Sequence, residues 1–329
     1  MTSTPESRVT YRDAIRLALR DSLRSDPNVL LLGEDIGPAG GVFKVTDGLF
    51  AEFGPGRVMD TPISETGFVG AAIGLALAGY RPVVELMFAD FAAVAWDQLV
   101  NQAAKYLFLS AGQMRVPIVI RCAGGGGGRF GAQHSQTTES WYLGIPGLRV
   151  VVPSNPQDAY GLLVSAVADE GPVIYLEHRG LYSKDGAFSP GDVGAPIGRA
   201  VVARPGRDVT IVASLAMVGK AMLAAEVLSA EGVEAEVLDL RSLVPLDLDS
   251  ILSSVRRTTR LVTVEEGTRQ GGWSADVVAE MVAVAFDSLD APPVRVTLPD
   301  APLAFSPALE DAAIPSEGRI ADAVRRVMA

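Results

Sequence analysis

The chain has 329 residues, enough for two domains, and its 48% hydrophobic and 6% aromatic content describes an ordinary globule rich in small aliphatic side chains. A net charge of −11 excludes nucleic acid and anionic membrane as partners, because both repel an acidic surface. The single cysteine, Cys122, excludes an intramolecular disulfide, fits a reducing cytoplasm and, at the end of an apolar run, reads as a small buried residue rather than a nucleophile.

Residues 1–7 are polar and carry no signal-peptide run. Periodicity then predicts a helix over residues 11–23 and a buried strand over 29–32. Residues 68–79 form an apolar helix, too short to span a bilayer and expected to be buried almost all round. Its small residues Gly67, Gly70, Ala71, Gly74 and Ala78 recur at helical spacing and suit a close helix–helix contact. Strands over 82–86, 117–121, 149–152 and 172–177 alternate with helices over 93–109 and 156–169, the last capped by Asn155 with Pro156 in its first turn. This alternation implies a parallel sheet with helices on both faces. A polar stretch rich in Gly and Pro follows, with the linker placed at residues 186–206. A second alternation has strands over 209–213, 235–240, 261–265 and 294–298 and helices over 217–231, 248–255, 274–285 and 320–328. The fold class is therefore α/β in two domains, residues 1–185 and the smaller 207–329.

Glu65 stands at the mouth of the apolar helix, one residue after Ser64, whose hydroxyl is placed to cap the free N–H groups. Pro62 biases Thr61 toward extended backbone, so the segment reads as strand end, turn, helix start. A carboxylate so placed is taken out of water, which suits a group that exchanges a proton with a ligand near neutral pH. Complementing the helix dipole is the simpler role for such a residue. The glycine run Gly124-Gly125-Gly126-Gly127-Gly128 invites a phosphate-loop reading but lacks the Lys-Ser/Thr pair and the direct entry into a helix. It reads instead as a loop whose backbone passes close to a ligand or another chain. His134, one of two histidines, follows it among Gln133, Ser135 and Gln136, where hydrogen-bonding neighbours can orient its ring. His178, after a strand, reads as structural or near the pocket rim, and neither histidine has a second ligand at zinc spacing.

Five motifs stand in one order along the chain: Gly33-Glu34-Asp35, Ile63-Ser64-Glu65-x-Gly67, Asp97-Gln98-x-x-Asn101-x-x-Ala104-Lys105, Gln133-His134-Ser135-Gln136 and Pro146-Gly147-Leu148-x-Val150-x-x-Pro153. With these gaps, from about Tyr11 to the C-terminus, the chain resembles the beta subunit of the thiamine-diphosphate-dependent 2-oxoacid dehydrogenases, the decarboxylating component of pyruvate, branched-chain 2-oxoacid and acetoin dehydrogenase complexes.

The resemblance implies a transketolase-like pyrimidine-binding domain followed by a transketolase C-terminal domain. It implies that Glu65 shares a proton with the aminopyrimidine ring nitrogen of thiamine diphosphate, that Glu34 is the acidic position near the cofactor, and that Met87 and Phe91 pack on the pyrimidine. It makes His134 the active-site histidine that meets the substrate and assists acyl transfer to a lipoyl arm. It also implies a potassium ion on backbone oxygens of Ile118, Ala166, Val167, Asp169 and Gly171. The chain has no Gly-Asp-Gly of the kind that carries Mg²⁺ and the diphosphate in such enzymes. The resemblance therefore assigns Mg²⁺ to an alpha subunit, in a heterotetramer of two alpha and two beta chains. Further partners are a lipoyl-bearing acyltransferase and a 2-oxoacid substrate, with residues 131–136 and 176–178 leaning toward pyruvate or acetoin. Two other readings stay open: a two-carbon ketol transfer with the same cofactor, and a catalytically silent assembly subunit.

Overall fold

The computed structural model describes residues 7–189 and 195–329. Residues 1–6, and the part of the predicted linker at 190–194, lie outside the described residues. Internal contacts divide the chain into one unit of Met1–Gly124 with Gly144–Ile197 and a second of Gly125–Leu143 with Gly198–Ala329. Gly125 to Gly128 of the glycine run, and the histidine after them, therefore pack with the second unit.

The first unit contains strands β1 (Ser7–Thr10), β2 (Val29–Gly33), β3 (Val58–Asp60), β4 (Arg81–Leu86), β5 (Val119–Gly124), β6 (Arg149–Val151), β7 (Val173–His178) and β8 (Asp185–Phe188). Six of them pair side by side, all parallel, in the order β6-β7-β5-β4-β2-β3. Strands β2 and β7 are buried at every position, as a sheet covered on both faces requires. The helix Tyr11–Ser25 is capped by Thr10, whose Oγ1 accepts from Asp13 N at 3.1 Å, and lays Tyr11, Ile15, Ala18 and Leu19 into the core. It packs on the helix Pro156–Ala168, where Asn155 caps through Asp158 N at 2.9 Å and proline opens the first turn.

Several sequence expectations change here. Ser64 makes no side-chain cap bond; the helix begins at Glu65 and runs to Leu77. It is not buried all round, because Thr66, Gly67, Ala71 and Gly74 form an exposed face. No single helix fills residues 93–109. A 3₁₀ turn (Ala89–Ala93), a π-helical turn (Gln98–Ala103) and one α turn (Tyr106–Leu109) stand there instead. The chain approaches this segment closely: a Cβ at Gly147, where φ is +104°, would lie 2.0 Å from the Ala104 carbonyl oxygen. Lys105 Nζ donates to the Pro146 carbonyl at 2.7 Å, so two of the five motifs meet in space. Inside the span assigned to a linker and at its border, β8 pairs with β1.

The second unit has β9 (Val201–Arg204), β10 (Val209–Ala213), β11 (Ala235–Asp239), β12 (Ser242–Val244), β13 (Leu261–Thr268) and β14 (Val294–Leu298). Five of these form the sheet β14-β13-β10-β11-β9, parallel except for the antiparallel edge strand β9. Helices Ala216–Ala230 and Glu317–Met328 pack together over Val209, Ile211, Val237 and Val262.

A charge lies inside the first sheet. Arg121 on β5 pairs laterally with Glu85 on β4 (Nη1–Oε2, 2.7 Å) and takes Glu177 on β7 in a fork (Nε–Oε1 2.7 Å, Nη2–Oε2 3.0 Å). Tyr182 donates to the same Glu177 at 2.6 Å. Burial by itself would lower the Arg121 pKa; the facing charges of Glu177 and Glu85 outweigh it and hold the guanidinium well above its ordinary value. Arg121→Met fits the volume but strands two carboxylates inside the sheet, and urea unfolding should show a loss of about 3–5 kcal/mol. A change under about 1 kcal/mol would mean that the carboxylates take up protons at little cost.

Candidate functional site

In an open parallel sheet, ligands settle beyond the carboxyl ends of the strands, where the strand order reverses. Here the chain leaves β2 to form β3 on one side and returns to form β4 on the other. Glu34 directly follows β2, Glu65 opens the helix after β3, and Met87 directly follows β4. The register puts Gly33 level with both Asp60 and Glu85. A Cβ on Gly33 would lie 2.9 Å from the Glu85 carbonyl oxygen, so glycine lets these strand ends close up. Asp35 takes a φ of 56°, an uncommon backbone for a side chain that aims the turn after Glu34. The turn is tied by Gly37 N donating to Asp60 Oδ1 at 2.6 Å.

Glu34 and Glu65 are both buried. Burial, then the charge of Glu65, then Asp35 push the Glu34 carboxyl above its ordinary value. Glu34 Oε1 is out of contact with solvent and has no hydrogen-bond partner among the described residues. Buried polar atoms are nearly always paired, so an orphan oxygen just past the end of β2 fits a ligand's N–H or a shared proton. Met87 and Phe91 are half-buried. Phe91 meets Phe88 edge-on at 5.7 Å, Phe88 meets Phe43 at 5.7 Å, and the Arg179 guanidinium lies 5.3 Å over the Phe88 ring.

In the second unit, His134 ends the short helix Gly131–His134 and is half-buried. Its neighbours Gln133, Ser135 and Gln136 line a cavity of about 470 Å³ together with Trp141, Thr268 and Asp300. Ser135 is fully buried, and its Oγ has no partner among the described residues. The glycine run before it cradles no phosphate: Gly126 N donates to Glu266 Oε1 at 2.5 Å and Gly127 N to Glu310 Oε1 at 2.9 Å. His178 is buried, and its Nδ1 accepts from Gly180 N at 3.1 Å, a structural role.

The five carbonyls expected to hold potassium lie in the first unit, and four of them accept a hydrogen bond there. Arg81 Nη1 donates to Val167 O at 3.0 Å and to Asp169 O at 2.9 Å. Ile118 O accepts from Val173 N at 2.9 Å and Ala166 O from Asp169 N at 3.3 Å. The Asp169 carboxylate pairs with Arg149 and accepts from Gly171 N at 2.8 Å. Among the described residues no three acidic, histidine or cysteine side chains gather as a metal site, and no helix is long and apolar enough to cross a membrane.

Residues 7–184 match the family of the transketolase pyrimidine-binding domain, and residues 198–320 match the transketolase C-terminal domain. The chain is 44% identical to the pyruvate dehydrogenase E1 component subunit beta-2 of Oryza sativa subsp. japonica, covering 98% of this chain and 87% of that one. It is 45% identical to the acetoin:2,6-dichlorophenolindophenol oxidoreductase subunit beta of Cupriavidus necator, covering 98% of each. The chain belongs to the transketolase-like family, among the 2-oxoacid dehydrogenase beta subunits. A solved relative of this beta subunit, a split-gene transketolase described as an inactive beta4 tetramer, superposes with a TM-score of 0.81 at 29% identity over 97% of this chain and 98% of that one.

Sequence reasoning missed the carboxylates that surround the histidine segment. Glu139, four residues after Ser135, is buried; burial, then Glu266 and Glu265, push its carboxyl from 4.5 up to about 8. A proton held this way stabilises the fold fully below the ordinary carboxylate range, and that contribution is lost as pH rises from 4.5 toward 8. Glu139→Gln keeps the neutral shape at every pH. Urea midpoints of variant and wild type should coincide near pH 4 and separate above it, with the variant gaining up to about 1.4 kcal/mol per pH unit until the wild-type group ionises. Parallel curves from pH 4 to 9 would show that Glu139 is charged in the folded chain.

Proposed function

We propose that this beta subunit supplies the pyrimidine half of a thiamine diphosphate site in an enzyme that oxidatively decarboxylates a 2-oxoacid and passes the acyl group to a lipoyl arm. The observation that carries the reading is the pair of buried carboxylates at the strand ends, Glu34 and Glu65, with a Glu34 oxygen that has no donor among the described residues. When bound, thiamine diphosphate supplies the electron sink for loss of carbon dioxide. Glu65 holds a proton against the pyrimidine ring nitrogen and exchanges it there. Glu34, beside it, takes the remaining donor, its carboxyl pushed above its ordinary value by burial and by the Glu65 charge. Met87 and Phe91 supply the apolar wall that excludes water from this proton. His134 orients the acyl acceptor and moves a proton during transfer.

The diphosphate and its Mg²⁺ belong, in this reading, to an alpha subunit, and the working assembly is two alpha with two beta chains. Its further partner is the lipoyl-bearing acyltransferase, whose basic subunit-binding segment would meet the acidic second unit near the C-terminus. Potassium on the carbonyls of Ile118, Ala166, Val167, Asp169 and Gly171 stays in the proposal, with Arg81 Nη1 sharing the Val167 and Asp169 oxygens. Pyruvate or acetoin-derived substrates and a reducing cytoplasm complete the proposal; the compartment rests on the lone, buried thiol of Cys122. Ketol transfer is the second reading, supported by the likeness to a split-gene transketolase; identity of 29% there against 44–45% to the dehydrogenase subunits favours the first.

Calorimetry of the isolated chain with thiamine diphosphate and Mg²⁺ should give no tight binding, whereas the reconstituted pair should bind. Tight binding to the chain alone would remove the need for an alpha half.

Glu65→Gln should keep assembly and cofactor binding in the reconstituted pair. Hydrogen–deuterium exchange at the cofactor's thiazolium carbon should slow by roughly 10²–10⁴, the usual cost of losing a positioned proton-transfer group. Unchanged exchange would reduce Glu65 to a partner of the helix dipole.

A further inference from the structure

Two N–H groups of the glycine run are taken by two buried carboxylates of the same unit, and each carboxylate-bearing residue grips the segment twice. Glu266 accepts Gly126 N on its side chain at 2.5 Å, and its carbonyl accepts Thr137 Oγ1 at 2.5 Å. Glu310 accepts Gly127 N on Oε1 at 2.9 Å and Arg129 Nη1 on Oε2 at 2.5 Å. The other terminal nitrogen of Arg129 reaches both oxygens of Asp311, at 2.7 and 2.8 Å. Gly125 N closes the segment on the Gln136 carbonyl at 3.2 Å. His134 lies between these anchors.

Packing alone would not call for this arrangement. Glu310 is 0% exposed, and a fully buried carboxylate costs more than an apolar side chain of the same size unless all its oxygens are engaged. What it adds is direction, because a carboxylate fixes an N–H and a guanidinium at set angles. The space is tight as well: a Cβ on Gly126 would lie 2.8 Å from both Ile314 and Leu303. Arg129 holds a φ of 62°, a backbone that an arginine adopts only when held there.

We propose that Glu310, acting through Gly127 N and Arg129, is a positioning residue that sets where His134 is presented to the acyl acceptor. This rests on the role given to His134 above. The test uses the reconstituted alpha–beta assembly with Glu310→Gln, which keeps size and one acceptor but drops the charge that holds Arg129. Backbone amide exchange across residues 125–137 should speed up, and kcat for transfer to a lipoyl domain should fall roughly 10- to 100-fold, as for a catalytic group displaced by about 1 Å. Turnover with a small artificial electron acceptor and cofactor binding should stay at wild-type values. Added to His134→Ala, Glu310→Gln should cause no further loss of transfer. If Glu310→Gln lowers transfer by the same factor in the His134→Ala background, or leaves loop exchange and transfer unchanged, the proposal is overturned. If His134→Ala alone transfers at the wild-type rate, the histidine reading itself has failed, and the proposal with it. Should Glu310→Gln not fold, Arg129→Gln, whose side chain is one-third exposed, carries the same comparison.

Discussion

Burying a carboxylate is the constraint on which both units turn. Out of water, the charge must be met by a cation, by N–H donors or by a proton, and the fold answers differently at each place. In the first sheet Arg121 meets Glu85 and Glu177, so three charged groups sit in the interior as one closed network. In the second unit Glu266 and Glu310 are met by glycine N–H groups and by Arg129. At Glu139 burial outweighs a backbone hydrogen bond, and the group keeps its proton near neutral pH. Glu34 is the remaining kind: buried, beside a second carboxylate, with an oxygen that nothing in the described chain satisfies.

That contrast separates structural carboxylates from those available to a ligand. A closed network such as Arg121's holds the guanidinium above its ordinary value and meets its carboxylates from within the fold. Glu34, its proton affinity raised by burial and by the Glu65 charge, still lacks a donor, which is the condition for exchanging a proton with a bound heterocycle. The parallel sheet places the open pair at the strand ends beside the reversal of strand order, where loops rather than paired strands surround it. The rigid part of the unit thus supplies position, and the turns after β2, β3 and β4 supply the chemistry.

Glycine does related work at several points. Gly33 and Gly147 allow close backbone approach, one between neighbouring strand ends and one against residue 104. Gly126 and Gly127 lend their N–H groups to carboxylates. The run that suggests an anion-binding loop does bind anions, but they are side chains of its own unit. A loop built that way is directed rather than slack, which bears on a segment that carries a histidine.

Much of this was legible in the amino-acid order. Alternating buried strands and helices announce an α/β chain because the periods 2 and 3.6 are local properties. Asn155 with Pro156 marks a helix start because a cap involves residues only three positions apart. Glu34, Glu65 and His134 stood out within short motifs. The sequence misled where local signals were weak or overridden. Ser64 has the right chemistry for a cap but a backbone, φ −166° and ψ 79°, from which no cap bond forms. The helical pattern over 93–109 breaks into three turns where Gly147 presses on Ala104. Strands β1 and β8, each of four residues, exist only because they pair with each other. The closed networks were wholly tertiary. Arg121 finds Glu177 at a separation of 56 positions, Gly126 finds Glu266 at 140 and Arg129 finds Glu310 at 181. Which buried charge is answered, and which is left for a ligand, depends on neighbours that no local pattern reveals. The sequence by itself determined the elements and the candidate acids; the fold decided their partners, because compensation of charge is a matter of distance in space.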